Sequence, residues 1–163
     1  MNEKEFGQSP DMGKESENVE PIKILMVDDD PSNLKMAKRL AQINDIDIQT
    51  FQEADKALDY IEKCLEQNKD LPEIVLADFT LDKGVEDPVI RSGDEFITKF
   101  IELYDGYKTR LPQLKLPEII GISSEKSYNE IMVKAGADNS IDKFGILKYF
   151  KAITDERNRP PLR

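Results

Sequence analysis

The chain has no histidine and no tryptophan, and its 163 residues include one cysteine. Without histidine there is no His-ligated zinc, no Ser-His or Cys-His nucleophile pair and no histidine pH switch. A lone thiol, Cys64, excludes an internal disulfide framework and multi-cysteine metal sites, so a reducing compartment is expected and Cys64 reads as core packing. Long apolar runs are also missing. Nothing approaches the roughly 20 residues of a membrane span, and the N-terminus lacks a signal peptide's apolar core, so the expectation is no membrane insertion and a cytoplasmic location. Positive charge is scarce: 23 Lys and Arg face 33 Asp and Glu, for a formal net charge of −10. A nucleic-acid binder needs a basic face, so no nucleic acid is expected as a partner.

The length and the balance of 39% hydrophobic and 34% charged residues suit one soluble domain with tails. Residues 1–20 hold Glu3, Glu5, Asp11, Glu15, Glu17 and Glu20 against Lys4 and Lys14. They offer too little apolar surface to offset the entropy of ordering, so an acidic disordered tail is expected there.

From Pro21 onward, short apolar runs alternate with helical periodicity. Ile24-Leu25-Met26-Val27 reads as a doubly buried strand that stops at acids, and Asp30-Pro31 as an N-cap with proline at the first helical position. Leu34, Ala37, Leu40 and Ala41 mark the inner face of that helix. Ile46, Ile48 and Phe51 suggest a weaker edge strand, followed by a helix with Ala54, Leu58, Ile61 and Leu65 inward. Ile74-Val75-Leu76-Ala77 is a second buried run and also ends on an acid, Asp78. Ser92 to Glu95 has a capping-box pattern, opening a helix with Phe96, Phe100 and Leu103 inward. Pro112 and Pro117 argue against helix over 105–117. Ile119-Ile120-Gly121-Ile122 is a third run, ending on Ser123-Ser124. A helix through Tyr128, Ile131, Met132 and Ala135 follows, with Gly136 placed to cap it. A short strand within 138–142 leads to Lys143 and a last helix bearing Ile146, Leu147, Phe150 and Ile153.

Five β-α repeats imply an α/β fold with a parallel sheet covered on both faces, whose site lies beyond the carboxyl ends of the strands. The residues there are Asp28, Asp29 and Asp30, then Asp78, then Ser123 and Ser124, then Lys143. Each alone reads as a turn, a cap or a solvated charge. As a set they read otherwise: neighbouring carboxylates repel unless a cation sits among them, and Mg²⁺ is the hard cation that takes one or two carboxylates, waters and a phosphate. A hydroxyl and a lysine would complete a phosphoryl site.

With these residues the chain resembles the response-regulator receiver domain of two-component signalling. The resemblance rests on Ile24 to Asp30, Ile74 to Asp78, Ile120 to Ser124, and Ala135-Gly136-Ala137-Asp138 running to Lys143, and it spans roughly 22–154. It implies a flavodoxin-like (βα)5 three-layer sandwich with strand order 2-1-3-4-5. The implied division is an acidic tail over 1–20, a receiver domain over 21–155 and a C-terminal tail over 156–163. It further implies that Asp78 is the phosphoacceptor, that Asp29 binds Mg²⁺ directly and Asp28 through water, and that the Thr80 carbonyl adds a ligand. Ser123 and Lys143 would contact phosphoryl oxygens. The implied donor is a sensor histidine kinase or histidine phosphotransfer protein, and the output is contact with an unidentified downstream protein. With one helix and a tail after Lys143, the reading is of a stand-alone receiver, a signalling module that catalyses only its own aspartyl phosphorylation and dephosphorylation.

Several positions depart from the family pattern. Its glycine usually follows the acceptor by eight positions; here Gly93 follows Asp78 by fifteen, an insertion of about seven residues around Lys83 to Arg91. Asp82 stands where the family has proline, and Ser140 where a switch aromatic often stands. Lys143 is followed by Phe144 rather than a cis proline. A trans bond is expected, with a less direct reach for the lysine. The alternative reading is a degenerate receiver that docks without phosphorylation. A haloacid-dehalogenase-type phosphatase is more remote, since Thr80 replaces the second acid that family needs two positions after its nucleophile.

Overall fold

A computed structural model describes residues 18–160. Most of the expected acidic tail and the last three residues lie outside them. The elements are β1 (Ile22–Val27), α1 (Pro31–Ile43), β2 (Ile46–Phe51), α2 (Ala54–Glu66), β3 (Ile74–Asp78), α3 (Gly93–Lys108), β4 (Glu118–Ile122), α4 (Lys126–Ala135), β5 (Asn139–Ile141) and α5 (Ile146–Arg157). All neighbouring strands pair in parallel in the order β2-β1-β3-β4-β5, the expected α/β architecture.

Side chains of a strand alternate between faces, so each apolar run feeds two cores. Ile22, Ile24, Met26, Ile74 and Leu76 pack with Leu34, Ala37 and Ala41 of α1 and Ile146 and Phe150 of α5. Leu25, Val27, Val75 and Ala77 pack on the other face with Ala57 and Ile61 of α2, Phe96 and Phe100 of α3, and Met132 of α4. Phe96, Phe100 and Phe150 are fully buried, each contributing roughly 1.5–3 kcal/mol from removal of its ring from water. Cys64 is buried and free, as its periodicity suggested.

The Asp30 side chain accepts from Ser32 N–H at 2.8 Å, and Pro31 begins α1, as expected. Gly136 closes α4 at φ +121°, a conformation that L side chains rarely adopt. Other expectations need correction. The capping box at α3 does not form: the Ser92 side chain caps nothing, and Glu95 accepts from Arg91 N–H at 3.1 Å instead. The reason is that Ser92 enters the helix from an antiparallel bridge with Thr80. Helix α3 also persists to Lys108, because Tyr104 is buried and donates its hydroxyl to the Leu114 carbonyl at 2.8 Å. Leu147 and Ile131 face outward at 52% and 40% exposure, so the inner faces of α5 and α4 are narrower than their periodicity implied.

Candidate functional site

Register brings the acids together. In the β1–β3 ladder the last pair is Val27 with Ala77, so the next residues, Asp28 and Asp78, leave the sheet side by side. In the β3–β4 ladder Asp78 pairs with Ile122, and in the β4–β5 ladder Ile122 pairs with Ile141. Ser123 and Lys143 therefore emerge at the same edge, one and two residues beyond those pairs.

Asp28, Asp29 and Asp78 are 0%, 4% and 4% exposed, and each offers an oxygen within 4.8 Å of the others. The Lys143 ammonium lies 3.2 Å from Asp28 Oδ2 and 3.2 Å from Asp78 Oδ1. No peptide bond among the described residues is cis, so Lys143-Phe144 is trans as expected. The indirect reach expected of the lysine is corrected, however. A 3-10 turn over Lys143–Gly145, capped by the Asp142 side chain on Phe144 N–H at 2.8 Å, aims Lys143 inward and leaves Phe144 90% exposed.

The three carboxylates are not equivalent. Asp28 accepts from Asp30 N–H at 2.9 Å and from the Asn33 amide at 3.1 and 3.3 Å, besides its ion pair with Lys143. Asp29 accepts from Lys83 N–H at 2.6 Å. Burial raises its pKa and that hydrogen bond opposes the rise, with Asp28 adding repulsion. Asp78 is raised from 3.8 to about 6, by burial first and then by Asp28, against the pull of Lys143. Burial pushes the Lys143 ammonium down, but Asp28 and Asp78 outweigh it and hold its pKa above the ordinary 10.5. Three buried carboxylates against one ammonium leave an excess of negative charge with oxygen donors alone. That donor set fits a hard divalent cation such as Mg²⁺.

Ser123 stands apart from the acids. It is buried, but its hydroxyl accepts from Glu125 N–H at 3.1 Å, and no polar contact joins it to the carboxylates among the described residues. Thr80 is half-buried, in its bridge to Ser92. Gly93 presses on the site from behind: a Cβ there would meet the Asp78 carbonyl oxygen at 2.4 Å and Met132 Sδ at 2.9 Å. This close approach explains why a glycine is needed after the enlarged loop. Three participants escaped the sequence reading, namely Asn33, the Lys83 N–H, and the stacking of Phe79 on Tyr128 of α4 at 4.0 Å between centroids and 13° between planes. Only Asn33 left a signal, lying one turn into the helix that Asp30 caps.

No family model matches the chain, and no curated protein does. Solved structures do. The receiver domain of NtrX from Brucella abortus is 18% identical, over 82% of this chain and 96% of that one, with a TM-score of 0.58. A point mutant of the receiver domain of the histidine kinase CKI1 from Arabidopsis thaliana is 17% identical over 84% and 91%, with a TM-score of 0.64. A CheY-like receiver domain protein from Methanospirillum hungatei is 22% identical over 84% and 96%, with a TM-score of 0.53. The chain thus has the fold of response-regulator receiver domains, of the CheY-like (βα)5 type, as the resemblance implied.

Proposed function

We propose that residues 21–155 form a receiver module that accepts a phosphoryl group on Asp78 from a phosphohistidine of a sensor histidine kinase or phosphotransfer protein. The observation that carries this is the Lys143 ammonium set 3.2 Å from both Asp28 and Asp78 beside a third buried carboxylate. A structural role alone would not need three acids at one strand edge, where repulsion opposes folding.

In the transfer, an Asp78 carboxylate oxygen forms a bond to phosphorus as the phosphorus–imidazole nitrogen bond breaks. The imidazole leaves as the neutral side chain of the donor, taking up a proton. Asp78 must be ionised to attack, and with its pKa near 6 it is so at neutral pH. Asp28, Asp29, Asp78 and the Thr80 carbonyl would hold Mg²⁺, which supplies neutralisation of the charge on the transferring oxygens. Lys143 pairs with a phosphoryl oxygen once Asp78 carries the group as an acyl phosphate. Ser123 donates to another after its hydroxyl turns away from Glu125 N–H, carrying the charge change to the loop before α4. The module signals by protein contact, and its chemistry is confined to its own aspartyl phosphate.

The test is incubation with Mg²⁺ and acetyl phosphate, followed by intact mass. One hydroxylamine-labile adduct is expected on the wild type and none on Asp78→Asn. Absence of the adduct on the wild type favours the phosphorylation-independent docking module, and equal labelling of Asp78→Asn places the acceptor elsewhere.

A further inference from the structure

The enlarged connection between β3 and α3 is an arm with a fixed root. Leu81 and Ile90 are buried at 0% and 1% exposure in the core that holds Phe96 and Ile97. Leu81 N–H donates to the Arg91 carbonyl at 3.0 Å, Gly93 N–H donates to the Phe79 carbonyl at 2.7 Å, and Thr80 bridges Ser92 between them. From this root two backbone donors reach acids of other elements. Val89 N–H donates to Asp55 of α2 at 3.2 Å, and Lys83 N–H donates to Asp29 Oδ2 at 2.6 Å. The second bond joins residues 54 positions apart and ends on a carboxylate of the acidic cluster.

Unlike Asp28, Asp29 has no side-chain donor; the arm is its hydrogen-bond partner among the described residues. A charge-assisted bond of this length fixes the carboxylate's orientation while leaving its other oxygen to bind. Removing a group that holds a metal ligand in place typically costs about 10–100-fold in affinity. We propose that the Lys83 backbone N–H is a positioning group for the cation site, holding Asp29 toward Asp28 and Asp78 so that a divalent cation meets a preformed set of oxygens. This rests on the reading of those three acids as a cation site. The arm positions Asp29 through its backbone and its buried root, while the Lys83 ammonium adds only the weakest of the charge effects on that carboxylate. The donor is lost if residue 83 has no N–H.

The test is Mg²⁺ titration of the full chain by calorimetry, paired with amide hydrogen exchange at Lys83 read by NMR. Lys83→Ala loses the ammonium and keeps the N–H, so it is the side-chain control, and Lys83→Pro is expected to bind about 10-fold more weakly than Lys83→Ala, the low end for losing such a partner. In the wild type the Lys83 amide is expected to be protected without metal and to stay protected at saturating Mg²⁺. A folded Lys83→Pro that binds as tightly as Lys83→Ala overturns the inference. So does a Lys83 amide that exchanges freely, or one that Mg²⁺ releases, since the arm would then compete with the cation. Should Lys83→Pro not fold, the exchange measurement on the wild type decides alone. A wild type that binds no Mg²⁺ removes the cation-site reading itself, which separates that failure from failure of the arm.

Discussion

The two sides of the strand-end site are built differently. On the β1–β3 side, Asp28, Asp29, Asp78 and Lys143 interlock, and each carboxylate has a protein partner within 3.2 Å. On the β4–β5 side, the Ser123 hydroxyl accepts from Glu125 N–H at 3.1 Å, its carbonyl accepts from the Asn129 amide of α4 and its N–H donates to the Ile141 carbonyl at 3.4 Å, while Ser140 N–H donates to the Asn139 side chain at 2.8 Å; among the described residues neither hydroxyl meets the acidic cluster. The first side is stressed by like charge and held by one cation. The second is held by the β4–β5 ladder and by the Phe79–Tyr128 stack, which packs α4 against the residue that follows β3. Like charge is thus concentrated on three carboxylates, and the two serine hydroxyls lie outside it.

The sharpest way to break this contrast is to remove Lys143. Lys143→Ala leaves three buried carboxylates without their ammonium and is expected to destabilise the metal-free protein by about 3 kcal/mol at pH 7, as for loss of one partner of a buried pair. Chemical denaturation in chelator checks this, and excess Mg²⁺ should restore part of the loss.

Next comes the proton. Because Asp78 titrates near 6 in the folded chain against an ordinary 3.8, the folded state binds that proton more tightly than the unfolded state. Its contribution to stability is therefore present at low pH and is lost as pH rises through about 6. Acidifying the metal-free protein from pH 7 to 5 is expected to offset other acid-induced losses by about 1 kcal/mol. Asp78→Asn should be more stable than wild type at pH 7 and lack this component. Asp28→Ala should instead destabilise at pH 7, since it strands the donors of Asp30, Asn33 and Lys143. Matching pH–stability curves for wild type and Asp78→Asn would show that Asp78 is not the stressed group.

Smaller effects belong to the β4–β5 side. Tyr128→Leu removes the stack but keeps an apolar side chain, and about 0.5–1.5 kcal/mol is expected from the lost aromatic pair. Ser140→Ala should change stability by less than about 0.5 kcal/mol. If Ser140→Ala is the more damaging of the two, the aromatic contact is not what holds α4 to the end of β3.

Much of this molecule was legible before folding. The runs at 24–27, 74–77 and 119–122 announced buried parallel strands, because a strand covered on both faces has no polar side. Asp30-Pro31 and Gly136 marked helix ends, because caps are local chemistry. The acids, the hydroxyl and the lysine that share one edge of the sheet could be picked out, because a parallel sheet gathers every strand's carboxyl end there. Amphipathic periodicity was less exact at α4 and α5, where Ile131 and Leu147 remain outside. Periodicity assigns a face but not how wide a neighbour will cover it.

What tertiary structure alone decided is how those residues meet. Lys143 reaches Asp28 and Asp78 directly because a 3-10 turn aims it, although its neighbour is phenylalanine. Ser123 turns to Glu125, and Lys83 offers its backbone to Asp29 across 54 positions. Periodicity and caps are written in residues a few positions apart, so the sequence itself determined the elements, their order and the acidic edge. A hydrogen bond between distant segments depends on angstrom-scale placement that exists only after the core has packed, and backbone donors such as Lys83 N–H carry no residue identity to read.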